Sequence, residues 1–315
     1  MEDVKQPVEI GEQARKLEMD FKKSVEPYRS DLWRYCYYIT GSPWDAEDLV
    51  QDTLLKAFAN LTKIYQAVNT KAYLLRIASN SWIDMKRKAK IHLDGLYDKD
   101  LEFQENDFNV MEAIEGLVYL LPPRQAVTFV LIEAFQYKAG EVAEMIGTTE
   151  GSVYTILHRV RKKLGSFNWE NNKKQITAKL DVDKGLINDF IDAFHRKDPD
   201  ALAGLLAEHA STDIKHAGHE FGRSEIKKNS LSDWMEIVRY QDVDARFYIL
   251  WGRPVVVETE RTASGPSLSN IHYLETEEGS IVRWTYYCFS WDMMKLVANE
   301  LNLHLEQKKY MYNIH

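Results

Sequence analysis

The densest single chemistry in this sequence lies between Lys71 and Lys90, where Lys71, Arg76, Lys86, Arg87, Lys88 and Lys90 meet one acid, Asp84. Cations gathered on one short segment neutralise phosphates, the largest sequence-independent contribution to nucleic-acid binding. Tyr65, Tyr73 and Trp82 stand in or beside that segment, and rings next to cations are what stacking on unpaired bases requires. A solvated basic face over core aromatics has the same composition, and Trp82 falls near the apolar positions under either reading. A second cluster runs from Glu150 through Ser152, Tyr154, Thr155, His158 and Arg159 to Arg161, Lys162 and Lys163. Hydrogen-bonding side chains come first and cations last, an order that suits base edges followed by phosphate. A third group, Asp213, His216, His219, Glu258 and His272, supplies the titratable side chains that acid–base catalysis in an apolar pocket would need. His216-Ala217-Gly218-His219-Glu220 has metal-binding residue types, but aiming two His rings at i, i+3 needs a helix, which Gly218 opposes. No GxGxxG, P-loop, GxSxG or HExxH pattern occurs. The expectation is therefore no catalytic residue, no metal and no cofactor.

The elements that must position these groups are legible from periodicity. Leu17, Phe21, Val25, Tyr28, Leu32 and Tyr35 predict a helix over 14–38, stopped by Gly41-Ser42-Pro43. A second helix runs from about Asp45 to Leu61, with Leu49, Val50, Leu54 and Phe58 on one side. A third runs from Thr70 to about Lys90; Leu74, Ile77, Ala78, Ser81 and Met85 share one face, and Arg76, Ser79, Asn80, Arg87 and Lys90 the other. Residues 91–116 lose periodicity and carry eight acids against Lys99, which reads as an acidic linker. Leu121-Pro122-Pro123-Arg124-Gln125 opens a second helical unit reaching Leu164. Within it, a short helix (139–145), a turn at Gly147 and a longer helix capped by Thr148 or Thr149 have the grammar of a helix-turn-helix. Val142, Ile146, Val153, Leu157 and Val160 are its expected inner contacts, and a plain helical hairpin would share them.

Beyond a polar stretch at 165–175 the pattern changes. One amphipathic helix covers about Val182 to Phe194, and another follows Asp198-Pro199 and runs to about Glu208. Strands are expected at 245–251, 255–261, 269–276 and 280–289, punctuated by Gly265-Pro266 and Glu278-Gly279, with a terminal helix from about Asp292 to Leu303. At 315 residues and 45% hydrophobic, the chain has the length for two or three domains and the apolar content for real cores. No apolar run approaches the ~18–20 residues of a membrane span. The N-terminus lacks a basic stretch followed by an apolar one, so no secretory signal and no membrane partner are expected. Cys36 and Cys288 form no CxxC pattern, which fits a reducing cytoplasm. The net charge of −8 argues against a general nucleic-acid coat while leaving the local basic patches intact.

The two N-terminal segments, at this spacing, resemble regions 2 and 4 of an extracytoplasmic-function (group 4) sigma factor of the sigma-70 family. The run from Asp45 to Phe58, DAEDLVQDTLLKAF, is similar to the region 2 helix that grips the clamp coiled coil of RNA polymerase. Ala72 to Asn80, AYLLRIASN, with Asp84 and Arg87 after it, resembles the helix that melts and reads the −10 element. Leu121 to Gln125 and Thr149-Glu150-Gly151-Ser152-Val153 are similar to the opening of region 4 and its recognition helix. Region 3 is absent, as in this group, and basic residues common in the family are missing at Tyr154 and Ile156. The helix–helix–sheet order of the last third, with Phe221-Gly222-Arg223-Ser224-Glu225-Ile226 and Ile281-Val282-Arg283-Trp284, resembles the SnoaL-like (NTF2-like) cone carried by some of these factors. The glycine-rich DGGGK signature of their best-known extended group is not present.

The resemblance implies a multidomain fold class: two all-α sigma domains, a region 2 bundle and a region 4 helix-turn-helix, followed by an α+β NTF2-like cone domain. The boundaries expected are 12–92 for region 2, 93–117 for the acidic linker, 118–166 for region 4 and 178–305 for the cone. Core RNA polymerase would be bound by Asp45, Asp48, Leu49, Val50, Gln51, Thr53 and Leu54. The −10 element would meet Lys63, Tyr65, Asn69, Arg76, Asn80, Lys86 and Arg87, with melted bases captured by the loop 61–70. The −35 duplex would meet Glu150, Ser152, Tyr154, Thr155, His158, Arg159 and Arg161. The linker acids would mimic a polyanion in the RNA exit path or be an ordinary solvated tether. The cone would regulate in cis, its pocket open to a small-molecule or intramolecular ligand. Two other readings fit parts of the sequence: a helix-turn-helix regulator independent of polymerase, and a SnoaL-like enzyme fused to a sigma-like module.

Overall fold

The computed structural model describes residues 5–66, 69–93, 121–165 and 183–306. The chain divides into two compact units, Met1–Gln175 and Ile176–His315. Among the described residues no helix is long and apolar enough to cross a membrane.

The first unit is all helical. Helix α1 (Lys5–Val25) gives way to a 3-10 turn at Glu26–Tyr28, and α2 (Arg29–Thr40) follows. The expected single helix over 14–38 is thus two, because Pro27 has no N–H for an α-helical ladder. Gly41 ends α2 at φ +69°, a left-handed conformation that glycine adopts without a Cβ penalty. The Ser42 hydroxyl then accepts the Asp45 N–H at 3.3 Å and starts α3 (Pro43–Ala59). A short α4 (Leu61–Gln66) occupies part of the expected loop 61–70, and α5 (Thr70–Leu93) is capped by Asn69, whose Oδ1 accepts the Ala72 N–H at 3.0 Å. The core between α2, α3 and α5 is built from Leu32, Tyr35, Cys36, Ile39, Leu49, Val50, Leu74, Leu75 and Ala78, all buried.

Two positions on α5 reverse the expected faces. Ser79 is fully buried and Met85 is 45% exposed, so the buried set is Leu74, Leu75, Ala78, Ser79, Ser81 and Trp82. The Tyr35 hydroxyl reaches Ser79 Oγ at 2.6 Å and Ser79 Oγ donates to the Leu75 carbonyl at 2.6 Å. Because Ser79 spends its proton on the helix, Tyr35 is the donor in this chain, which draws a polar residue into the core. The second helical group is α6 (Pro123–Glu133), α7 (Ala139–Met145) and α8 (Glu150–Gly165). Gly147 makes the turn at φ +62°, and Thr149 caps α8 by accepting the Ser152 N–H at 3.2 Å. Val142, Ile146, Val153, Leu157 and Val160 are all buried, as the hairpin requires. The expected acidic linker falls almost wholly on residues 94–120, outside the described residues.

The second unit is α+β. Helices α9 (Lys184–His195) and α10 (Pro199–Gly204) precede a six-stranded sheet ordered β2-β1-β6-β5-β4-β3. Its strands are β1 (Leu206–Ile214), β2 (Gly218–Phe221), β3 (Val243–Leu250), β4 (Arg253–Thr262), β5 (Gly265–Glu277) and β6 (Ser280–Tyr286). Strand β1 runs parallel to β6 while the other neighbours are antiparallel. The register shifts at Glu258/Thr259, Glu275/Thr276 and between Leu206 and Ser211, and α9 packs Leu186, Ile187, Phe190 and Phe194 into one core with the sheet. Between β2 and β3 lie α11 (Arg223–Ile226), a π-turn (Lys227–Leu231) and α12 (Ser232–Val238); α13 (Trp291–Glu300) follows β6.

The helix expected to reach Glu208 stops at Gly204, and β1 and β2 were not foreseen. The β1 sequence LAEHASTDI alternates poorly, and its strand state rests on pairing on both sides, with β2 next in sequence and with β6 some seventy residues away. The turn expected at Gly265-Pro266 lies one step earlier, at Ala263-Ser264, and both residues begin β5. Glu278-Gly279 forms the tight hairpin turn, with both residues at positive φ, 48° and 75°.

Candidate nucleic-acid and polymerase interfaces

Helix α3 presents a narrower surface than its motif suggests. Leu49, Val50 and Thr53 are at most 1% exposed and hold the helix to α2 and α5, so their side chains cannot meet a partner. Asp48 is exposed; Asp45, Gln51 and Leu54 are half-buried. The outward face adds a residue the motif reading omitted: Leu55, 61% exposed, about two helical turns beyond Asp48. Asp52 is tied to Lys56 at 2.7 Å, and Lys56 also donates to Ser81 Oγ at 2.8 Å, bracing α3 on α5. The face left for a partner is Asp48, Gln51 and Leu55, acidic with one apolar anchor. An exposed leucine inside an otherwise amphipathic helix was the signal available in the sequence.

Helix α5 holds its basic side chains at the surface. Arg76, Asn80, Lys86 and Arg87 are exposed, as are Lys63 on α4 and Asn69 at the cap; the Tyr65 and Lys90 side chains lie outside the described residues. Lys86 Nζ sits 4.3 Å over the ring of Trp82, itself buried, which pre-orients that cation. Arg87 pairs with Asp84 at 3.1 Å, a weak exposed bridge that phosphate can replace.

The same helix also meets the helix-turn-helix. Asn80 Nδ2 donates to the Met145 carbonyl at 3.5 Å, placing a candidate −10 residue against the end of α7. Nearby, Phe135 enters between Tyr35 (centroids 5.3 Å, 90°) and Tyr38 (6.2 Å, 71°). Arg34 and Lys71 stand 5.4 and 5.8 Å from the centre of that ring. Lys71 is held by an ion pair to Asp31, which also takes Arg34 at 2.7 Å. Asp31 also acts at a distance on Tyr137, whose phenol is pushed up first by burial and then by Glu141 and Asp31. Nothing in the sequence motifs announced this contact.

Helix α8 exposes Glu150, Tyr154, Thr155, His158, Arg159 and Arg161, with Ser152 half-buried. Tyr154 O–H donates to Glu150 Oε1 at 3.2 Å and Thr155 Oγ1 donates to the Gly151 carbonyl at 2.9 Å. Arg161 departs from the group: it bridges to Glu133 on α6 at 2.7 Å and so acts first as a strut for the hairpin. Lys162 and Lys163 are exposed at the basic end.

In the second unit, β4, β5 and β6 bring Glu258, His272 and Trp284 together in the sheet's interior. Trp284 Nε1–H donates to His272 Nδ1 at 3.0 Å, which leaves His272 Nε2 carrying the proton toward Glu258 Oε2 at 3.0 Å. All three are buried, and Phe190, Phe194 and Tyr286 surround the imidazole at 5.4–6.0 Å between ring centres. Burial pushes the Tyr286 phenol well up, with Glu220, Cys288 and Glu258 adding to it. Asp213 lies apart, on β1, bound to Lys215 at 2.6 Å with His219 Nδ1 at 3.5 Å; His216 is in the turn at φ +66°. The five titratable candidates therefore divide between two places, and Glu258 with His272 is the pair the sequence could not have joined.

Comparison with known proteins gives a consistent picture. Residues 25–91 match the family model Sigma-70 region 2, and residues 111–164 match Sigma-70, region 4. The chain is 28% identical over 222 residues to the ECF RNA polymerase sigma factor SigG of Mycobacterium tuberculosis, covering 61% of this chain and 60% of that protein. It thus spans about 60% of the length of that curated relative. Among solved structures, it is similar to the extracytoplasmic function sigma factor SigJ of Mycobacterium tuberculosis (TM-score 0.34, 17% identity, 84% of this chain and 95% of that one). It is also similar to a putative polyketide cyclase from Xanthomonas campestris pv. campestris (TM-score 0.24, 21% identity, 32% of this chain and 86% of that one).

Proposed function

We propose that this chain, which carries a sigma-70 region 2 and a sigma-70 region 4 in that order, is an alternative sigma factor that binds core RNA polymerase and directs initiation at specific promoters. The observation that carries the reading is the pairing of two exposed surfaces behind those matches: the cationic face of α5 and the hydrogen-bonding face of α8. Either alone fits many nucleic-acid binders; in this order, beside the Asp48–Gln51–Leu55 face of α3, they fit a factor that polymerase carries to DNA. Arg76, Lys86 and Arg87 would hold the −10 strand by phosphate contact, with Asn80 reading it once released from Met145. Glu150, Ser152, Tyr154, Thr155, His158 and Arg159 would face the −35 major groove. With a chain charge of −8, free promoter DNA would be held weakly, and polymerase would supply most of the cationic surface. This work is done in the cytoplasm, without a membrane partner.

The C-terminal unit regulates that activity in cis and is not an enzyme in this reading. Its buried Glu258–His272–Trp284 chain is fully used inside the sheet, which suits a rigid scaffold better than proton transfer to a substrate. A small-molecule or intramolecular ligand of this unit is the expected regulator. The test is in vitro transcription with core polymerase, comparing the full chain with one truncated near Phe167. Promoter-dependent initiation that requires the chain supports the reading, and a difference between the two proteins gives the sign of the C-terminal effect. No initiation from either, with both folded, would sink it.

A further inference from the structure

The N-terminal half of α8 faces outward with hydroxyl groups whose protons are already spent. Tyr154 gives its proton to Glu150 Oε1 at 3.2 Å, and Thr155 gives its proton to the Gly151 carbonyl at 2.9 Å. Glu150 as a carboxylate has no proton to give. Tyr154 is 58% exposed, and Glu150 and Thr155 are exposed beside it. As placed, these three side chains turn oxygen lone pairs outward, and the donors of the same face, His158 and Arg159, follow a turn further along.

In the major groove, guanine shows two acceptors, thymine an acceptor and a methyl, adenine a donor beside an acceptor, and cytosine a donor. At the Glu150 position itself, a carboxylate repels guanine and thymine oxygens. Adenine is handicapped too, because its N7 lone pair faces the second carboxylate oxygen when N6 meets the first. Cytosine has no such neighbour: its N4 amino group sits beside a C–H. The hydrogen bond from Tyr154 holds Glu150 Oε1, which keeps a further lone pair to accept with, while Oε2 lies beside Gly140 at the start of α7. The cost of bringing a carboxylate near phosphates is offset along the same helix by exposed Arg159, Lys162 and Lys163. We propose that Glu150, oriented by Tyr154, is a specificity-determining residue that reads the N4 amino group of a cytosine in the −35 duplex. This rests on the sigma-factor reading above.

The test uses the full chain with core polymerase on a promoter library in which the −35 duplex is randomised, read by sequencing the transcribed templates. The wild type should prefer cytosine at one −35 position by roughly 10- to 150-fold over the other bases, the range a single hydrogen bond to a charged group gives. Glu150→Gln, whose amide offers both a donor and an acceptor, should move that preference toward adenine. Tyr154→Phe should weaken the cytosine preference at the same position without moving it. Thermal melting of both variants confirms folding, as expected for exposed positions. If the library shows no cytosine preference, or if one persists unchanged in Glu150→Gln, the assignment is overturned while the sigma-factor reading stands. If the wild type initiates from no template, both fall together.

Discussion

Phe135→Ala probes whether the contact between the two helical groups withholds Asn80 from DNA. The ring makes edge-on contacts with Tyr35 and Tyr38 and lies under Arg34 and Lys71. Each aromatic pair contributes about 0.5–1.5 kcal/mol beyond simple burial, and each exposed cation–ring contact about 0.5–1 kcal/mol. These are not additive, and a fully buried Phe→Ala costs about 3–5 kcal/mol. For a half-buried ring, about 2 kcal/mol is the working figure, equivalent to a roughly 30-fold shift toward the open arrangement. Its four ring partners belong to α2 and the start of α5, so the loss falls on the contact between the groups more than on either core. A ligand that binds only the open arrangement gains affinity by the factor in which that state becomes populated. Fluorescence anisotropy with a single-stranded −10 oligonucleotide and the free full-length chain should therefore show tightening of up to about 30-fold. Hydrogen exchange should rise at the Phe135 turn and the N-terminal turns of α5. Unchanged or weaker DNA binding, with that exchange raised, would refute the idea that the contact withholds Asn80.

Three further outcomes test other parts of the structure. Tyr35→Phe removes the donor to Ser79 while Ser79 keeps its bond to Leu75, so the loss should be about 1 kcal/mol by chemical denaturation; a change within error would mean the hydroxyl chain does not hold α5 in place. Trp284→Phe leaves buried His272 Nδ1 without its donor and should cost about 1–3 kcal/mol, read as a lower Tm of the C-terminal unit; a neutral result would place no weight on the Glu258–His272–Trp284 chain. Burial pushes the Cys288 thiol up to about 12 and that of Cys36 well up, so at pH 8 both stay protonated. A maleimide should leave buried Cys36 unlabelled until the chain is unfolded and label the partly exposed Cys288 only slowly, and mass spectrometry showing rapid labelling of native Cys288 would contradict that environment.

By itself the sequence determined what depends on neighbours within a turn or two. The boundaries of α7, the turn at Gly147, the capped start of α8 and the four antiparallel strands from Val243 onward follow from periodicity, glycine placement and capping side chains. The exposure of Arg76, Lys86 and Arg87 on α5 and of Glu150, Tyr154, Thr155, His158 and Arg159 on α8 was legible for the same reason, since helical spacing decides which side chains share a side. Tertiary structure decided what depends on distant partners. Only packing against α2 and α5 shows that Leu49, Val50 and Thr53 are core, and only Tyr35 explains a buried Ser79. Strand β1 lies inside the sheet because distant β6 pairs with it on the side that β2 leaves open, and Glu258 meets His272 through a sheet register that no local pattern encodes. Phe135 reaches Tyr35 and Tyr38 across nearly a hundred residues, and Asn80 reaches Met145. Local geometry is written in the order of the residues; contacts made after long loop closures are selected by the free energy of the whole fold.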